Sequence, residues 1–178
     1  MNSNKIREIF EEIIKNDTNL VKKQSIKETG SFSEILPIVS SQSFLIKLGN
    51  TVEKCFQVYI KEINGETINS VINGSQADLY FIKNKVKYYF EIKNNVNLDT
   101  EKTTSVVNKI NLALPLVNIA GCLSFRNDRK EKLFKFCKPK LKDYIYGYND
   151  FFNLFEDELD EKDFSIILNT ISSILKKG

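Results

Sequence analysis

The stretch that decides the fold is residues 76–93, QADLYFIKNKVKYYFEIK. It is rich in Tyr, Phe, Ile and Val, which favour a pleated, half-buried strand surface. We predict two antiparallel strands joined at Lys83-Asn84-Lys85. A two-residue turn at Asn84-Lys85, although Asn-Lys is not the preferred Asn-Gly pair, gives the register below, as does a four-residue loop, whereas a three-residue loop would shift it by one. That register sets the following residues opposite one another: Lys83 and Val86, Phe81 and Tyr88, Leu79 and Phe90, Asp78 and Glu91, and Gln76 and Lys93.

The predicted pairing brings two acids and a lysine to one face of the hairpin. Opposite side chains have Cβ atoms about 4.5–5.5 Å apart, so Asp78 and Glu91 repel each other unless a cation compensates. Mg²⁺ is typically held by one or two carboxylates with waters and phosphate oxygens. Lys93 follows on the same face, where an ammonium group could hold a water or stabilise developing negative charge. A solvent-exposed polar strand face is the alternative interpretation.

Asp78, twelve intervening residues and then Glu91-Ile92-Lys93 resemble the PD-(D/E)XK motif of type II restriction endonucleases and related nucleases. Ala77 stands where the family usually has Pro. The resemblance implies an α/β, restriction-endonuclease-like fold with a central mixed β-sheet flanked by α-helices. It also implies that Asp78, Glu91 and the Ile92 carbonyl hold Mg²⁺ while Lys93 acts on the water or the transition-state charge.

Further site residues are expected around this motif. Glu53, on the helix before the hairpin, is similar to a glutamate that the family often presents to the site, and would act through a second metal or a water. Its alternative is an exposed helix glutamate beside Lys54. A basic run from Arg126 to Lys142 could follow a phosphate backbone or form a solvated face. The candidate DNA contacts are Gln76, Lys102, Lys109, Arg126, Arg129 and Lys130.

Composition limits the possible classes of protein. The chain has 178 residues, 42% of them hydrophobic, which is typical of one globular domain spanning residues 1–178. The net charge of +3 does not by itself indicate nucleic-acid binding. The sequence has no histidine, which excludes His-Me finger nucleases, Ser-His-Asp hydrolases and His-dependent zinc proteases. Three cysteines without CxxC spacing indicate free thiols. With no signal peptide or membrane segment expected, a cytoplasmic protein follows.

Hydrophobic periodicity predicts the remaining elements. Helices are expected over residues 3–16, 43–62 and 163–176, with Ser3, Ser43 and Asp163 as candidate caps. A further helix, capped by Asp99 or Thr100, is expected to run to about residue 112. Leu116–Ser124 is expected to be a buried strand parallel to the motif strand, with the preceding helix as the crossover. A short strand, a Gly turn and a helix capped by Asn149 or Asp150 are expected over 145–155. Residues 17–42 are expected to be polar and able to reach DNA.

The resemblance therefore implies Mg²⁺-dependent hydrolysis of phosphodiester bonds in double-stranded DNA by a sequence-specific type II restriction endonuclease. Cutting both strands usually needs two sites, so the family also implies a homodimer. Two other classes stay open. A resolvase or repair nuclease would share these residues but prefer branched or damaged DNA, and a non-catalytic DNA-binding protein on the same fold would bind without cutting.

Overall fold

The computed structural model describes residues 1–17, 42–68, 71–72, 75–94 and 97–176. The chain divides into two compact units, one formed by Met1–Val58 with Glu156–Gly178 and the other by Tyr59–Phe155. The expectation of one domain over the whole chain stays a prediction. The polar stretch expected to reach DNA, apart from its first and last residues, lies outside the described residues.

The helices of the first unit are α1 (Ser3–Asn16), α2 (Gln42–Glu62, of which the last turn belongs to the second unit) and α6 (Glu161–Lys176). The described strands of the second unit are β1 (Glu66–Thr67), β2 (Val71–Ile72), β3 (Ser75–Gln76), β4 (Leu79–Lys83), β5 (Val86–Lys93), β6 (Ile119–Ser124) and β7 (Ile145–Gly147). Its helices are α3 (Thr100–Ala113), α4 (Lys130–Leu133), the 3-10 helix Pro139–Tyr144 and α5 (Tyr148–Asn153).

The described strands form a mixed sheet of five in the order β1-β4-β5-β6-β7, with β2 and β3 in a separate two-stranded sheet. Strands β4 and β5 are antiparallel, whereas β5, β6 and β7 are parallel. Helix α3 is the crossover between β5 and β6 that a parallel pair requires. The predicted α/β class, with a central mixed sheet flanked by helices, is confirmed.

The β4-β5 hairpin has the predicted register over its whole ladder, from Lys83 opposite Val86 to Leu79 opposite Phe90. Its turn residues, Asn84 and Lys85, have φ angles of 51° and 66°. Two successive positive φ angles characterise a type I′ turn, whose twist matches that of the strands.

The predicted extension of that ladder beyond Leu79 is wrong for Gln76. Gln76 pairs with Val71 of β2 rather than with Lys93. The backbone bends at Asp78, between β3 and β4, so the two strands cannot form one continuous ladder. Asp78 consequently reaches the motif strand from a bend and not from a paired strand position.

The helix limits differ from the predictions mainly in their caps. Helix α1 is capped by Asn2, whose side chain accepts a hydrogen bond from the Lys5 N–H, and not by Ser3. Helix α6 begins two residues before the predicted Asp163, because Asp160 Oδ1 accepts a bond from the Asp163 N–H. Of the two predicted caps of α3, Asp99 is confirmed, since it accepts a bond from the Lys102 N–H.

Helix α5 follows β7 directly, without the predicted Gly turn. Its N-cap is Gly147, and Asp150 lies three residues into the helix with Oδ2 accepting the Gly147 N–H at 2.7 Å. A Cβ at Gly147 would lie 2.4 Å from backbone atoms of Asp128 and Arg129. Glycine is therefore needed there for close backbone approach.

Both faces of β5 are covered within the second unit. On one face, Tyr89 belongs to a buried cluster with Val106, Ile110 and Ala113 of α3. On the other face, Phe90 packs edge-on against Phe151 with ring centroids 5.1 Å apart. Because strand side chains alternate, Glu91 lies on the Tyr89 face and points toward α3.

The first unit pairs α1 with α6 through polar contacts as well as apolar ones. Arg7 Nη1 donates to Asp163 Oδ1 at 2.8 Å, and Thr170 Oγ1 donates to Glu11 Oε1 at 2.8 Å.

The three cysteines are free thiols, as predicted. Within the described residues, no helix has the length and apolar character needed to span a membrane.

Candidate active site

The carboxylate of Asp78 reaches across to the end of β5. Its Oδ2 accepts the Ile92 N–H at 2.7 Å and lies 3.2 Å from Lys93 Nζ. The same ammonium group lies 3.4 Å from Glu91 Oε2 and 3.0 Å from the Ile92 carbonyl oxygen. The three groups that were predicted to bind a metal therefore surround the ammonium group of Lys93.

Glu91 is the buried centre of this group of residues, with only 1% of its surface exposed. The Tyr89 hydroxyl donates to Oε1 at 2.7 Å, and Lys109 Nζ donates to Oε2 at 3.0 Å from α3. A buried carboxylate is strongly disfavoured unless it is paired and hydrogen-bonded, and these contacts meet that need. The alternative of a solvent-exposed strand face is therefore wrong for Glu91.

Burial and the two carboxylates determine the protonation states of Lys93 and Tyr89. Burial alone would lower the pKa of Lys93, but the Asp78 and Glu91 carboxylates outweigh it and raise the pKa above its ordinary value. Burial, followed by the hydrogen bond to Glu91, raises the pKa of the Tyr89 hydroxyl far above its ordinary value. Lys93 is thus an ammonium and Tyr89 a neutral donor at physiological pH.

A cavity of about 130 Å³ lies between β5 and the first turns of α3. Its lining combines one carboxylate with three lysines and a hydroxyl: Glu91, Lys93, Leu98, Lys102, Ser105, Val106 and Lys109. The Lys102 side chain is 72% exposed and lies 3.2 Å from Asp99 Oδ2. The lining thus carries three ammonium groups against one carboxylate, and each lysine is ion-paired with a carboxylate.

The expected basic DNA contacts begin beside the site. Lys93 is paired with Ser124 at the carboxyl ends of β5 and β6, and Arg126 follows two residues later. The next basic residues surround the start of α4, where Arg129 is the N-cap and the Lys130 N–H donates to Asp150 at 2.6 Å. A contact of these residues with DNA stays a prediction.

Two expected site residues are not shown at this cluster. Glu53 belongs to the first unit, where its Oε1 accepts a bond from Gln57 Nε2 at 2.8 Å. Gln76 is an exposed residue of β3. Their roles in metal assistance and DNA contact stay predictions.

Sequence reasoning missed the roles of Tyr89 and Lys109 as partners of Glu91. The i, i+2 spacing of Tyr89 and Glu91 is a signal, because residues two apart share a strand face. Lys109 was expected to contact phosphate, but its ammonium is bonded to Glu91. Nothing local in the sequence indicates that bond, since 18 residues separate the two.

Comparisons of the chain with protein-family models, with curated proteins and with solved structures found no match. Within the described ranges, no group of three or more His, Cys, Asp or Glu side chains is arranged to hold a metal ion. Any functional assignment therefore depends on the local chemistry of Asp78, Glu91 and Lys93.

Proposed function

We propose that this protein is a Mg²⁺-dependent endodeoxyribonuclease with a restriction-endonuclease-like fold, hydrolysing phosphodiester bonds of double-stranded DNA. One observation carries the proposal. Oxygens of Asp78, Glu91 and Ile92 converge on one position, where the Lys93 ammonium lies within 3.0–3.4 Å of each. A position that already favours a cation, bounded by three oxygens, is suited to a hard divalent ion.

The donor set fits Mg²⁺ in kind and number. Mg²⁺ prefers oxygen ligands and usually has one or two carboxylates, completing its shell with waters and phosphate oxygens. Asp78 and Glu91 supply the two carboxylates, and the Ile92 carbonyl supplies a third oxygen. The Asp78 side chain is 25% exposed, so the site is open to solvent and substrate. When bound there, the ion would stabilise charge on phosphate oxygens and lower the pKa of a water.

The protein's own residues have separable tasks in this proposal. Hydrolysis adds water across one P–O bond, leaving a phosphate monoester on one fragment and a hydroxyl on the other. Lys93 would orient the attacking water or donate to the oxygen that gains negative charge. Tyr89 holds Glu91 in its orientation through Oε1. Lys102 and Lys109 supply positive charge to the adjoining cavity.

The finer assignment is a sequence-specific type II restriction endonuclease that acts as a cytoplasmic homodimer. Its support is the resemblance of the Asp78 and Glu91-Ile92-Lys93 spacing to that family, together with the basic segment that starts beside Lys93. A nuclease for branched or damaged DNA would use the same catalytic cluster. A non-catalytic DNA-binding protein would have no need of two carboxylates converging on one cation position.

The deciding experiment is a cleavage assay of the purified protein on unmethylated phage DNA, with Mg²⁺ and with EDTA, beside Asp78→Asn. Discrete Mg²⁺-dependent fragments that the variant does not produce would support a sequence-specific nuclease. Cleavage confined to four-way junctions would favour the structure-specific class. A folded protein that binds DNA and cuts neither substrate would contradict nuclease activity.

A further inference from the structure

Lys109 and Lys93 both neutralise Glu91, but they differ in their other contacts. Lys93 Nζ also bonds Asp78 and the Ile92 carbonyl, so loss of Glu91 alone leaves it two acceptors, whereas a metal ion bound to all three oxygens would take every one of them. Within the part of the chain that the structure describes, Glu91 is the hydrogen-bonding partner of Lys109 Nζ, and no second acceptor is seen. A cation that takes Glu91 would therefore leave Lys109 without its hydrogen-bonding partner.

We propose that Lys109 is a resident counter-ion of Glu91, which a divalent cation displaces and which then binds a phosphate group of the substrate. This inference rests on the proposed function and adds a role to a residue of the same site. The cavity beside Glu91 can accept the displaced ammonium group. Lys109 already lines the 130 Å³ cavity beside Glu91, and its side chain is 30% exposed.

Charge balance gives the exchange its direction. In the cation-free cluster, two carboxylates (Asp78 and Glu91) balance two ammonium groups (Lys93 and Lys109). A divalent ion that binds the same oxygens leaves the cluster with a surplus of positive charge, which attracts a phosphodiester. The positive charge of Lys109 repels the divalent cation but attracts the phosphate group. The two ligands consequently bind cooperatively, and Lys109 affects them in opposite senses.

The experiment compares Lys109→Gln and Lys109→Arg with the wild type and with Lys102→Gln. Lys102 lines the same cavity without a bond to Glu91, which makes it the matched control for loss of one positive charge. Ca²⁺ serves as the cation, because it takes the same oxygen ligands. Calorimetry measures Ca²⁺ affinity without DNA, and fluorescence anisotropy measures affinity for a short duplex in saturating Ca²⁺.

Lys109→Gln should bind Ca²⁺ about five- to ten-fold more tightly than the wild type and the duplex about five- to ten-fold more weakly. Lys109→Arg should bind Ca²⁺ more weakly than the wild type, because a guanidinium can hold the Glu91 carboxylate by two hydrogen bonds. Lys102→Gln should weaken duplex binding and leave Ca²⁺ affinity unchanged. Opposite changes in the two affinities would not arise from a purely structural role.

Unchanged or weaker Ca²⁺ binding by folded Lys109→Gln would overturn the counter-ion role. If that variant does not fold, unchanged or tighter Ca²⁺ binding by Lys109→Arg would overturn it instead. Tighter Ca²⁺ binding with unaltered duplex affinity would overturn the phosphate-binding half. A wild-type protein that binds neither Ca²⁺ nor Mg²⁺ would contradict the proposed function itself, an outcome distinct from the failure of Lys109 alone.

Discussion

Tyr89 donates a 2.7 Å hydrogen bond to Glu91 Oε1 from two positions earlier on β5. Both side chains lie on the strand face that α3 covers, and each residue is 1% exposed. The hydroxyl is the donor that satisfies Oε1, whereas Oε2 is satisfied by lysines. Tyr89 therefore fixes which Glu91 oxygen is turned toward Lys93 and Lys109.

Replacing Tyr89 by Phe should lower the free energy of unfolding by about 1–3 kcal/mol, because a buried acceptor loses its donor. Urea denaturation of the purified variant measures the change. Tyr80→Phe is the matched control, since Tyr80 lies opposite Tyr89 and its hydroxyl makes no hydrogen bond within the described residues. The control should change stability by no more than about 0.5 kcal/mol. Equal losses in both variants would contradict the role given to the Tyr89 hydroxyl.

Asp78→Asn should keep the fold and reduce Mg²⁺-dependent cleavage by at least about 100-fold. The amide oxygen can still accept the Ile92 N–H, but the negative charge that favours the cation is gone. Activity on plasmid DNA and the melting temperature are the two measurements. Asp99→Asn, an identical change at the exposed cap of α3, should retain cleavage. Full cleavage by folded Asp78→Asn would contradict the proposed catalytic site.

Glu91→Ala should be much less stable than the wild type, and Glu91→Gln, which keeps hydrogen-bonding atoms but not the charge, should be intermediate. Removing the buried carboxylate and its hydrogen-bonding atoms leaves the Lys93 and Lys109 ammonium groups close together without their shared partner. Loss of one partner from a buried ion pair typically costs about 3–5 kcal/mol. Thermal and urea unfolding of both variants test this. Wild-type stability of both variants would show that the Glu91 carboxylate is not needed to neutralise these lysines.

The thiols should react unequally with a maleimide at about pH 8. Cys55 and Cys122 are both fully buried, and burial raises the pKa of each thiol, that of Cys122 to about 12. Partial burial raises the pKa of the Cys137 thiol as well, but this thiol is partly exposed. Mass spectrometry should find rapid modification of Cys137 alone, and Cys137→Ser should abolish it. Equally rapid labelling of Cys122 in native protein would contradict the packing of β6.

The contact between α1 and α6 should weaken at low pH through Asp163. Hydrogen bonding to Ser3, followed by that to Arg7, holds the pKa of this carboxyl below its ordinary value. A lowered folded-state pKa stabilises the protein above the unfolded pKa of about 3.9, and the contribution is lost as pH falls through the folded value. The wild type should therefore melt above Asp163→Asn at pH 7, and the difference should vanish well below pH 3.9. Glu161→Gln, an exposed change in the same helix turn, should show no such dependence on pH.

Local chemistry explains why the hairpin was predictable in detail. Alternation of apolar residues along β5 and a short polar turn at Asn84-Lys85 are properties of neighbouring residues, so they are visible in the sequence. The same holds for the Asp99 cap of α3 and for the parallel strand that follows it. The two positive φ angles of the turn are not visible in the sequence, because Asn-Lys is not a preferred pair there. The caps of α1, α5 and α6 were misplaced because several adjacent polar residues could each serve, and the choice depends on where the chain enters the helix.

The sequence by itself determined the α/β class, the β4-β5 register and the presence of Asp78, Glu91 and Lys93 at one end of the motif strand. Only the tertiary structure decided that Glu91 is buried, that Asp78 reaches it from a bend, and that Lys109 is its partner. The physical reason is the packing of α3 over β5, which removes Glu91 from water and makes its charge require the nearest cations. Burial and ion pairing of this kind depend on residues far apart in the chain, and no local pattern contains them.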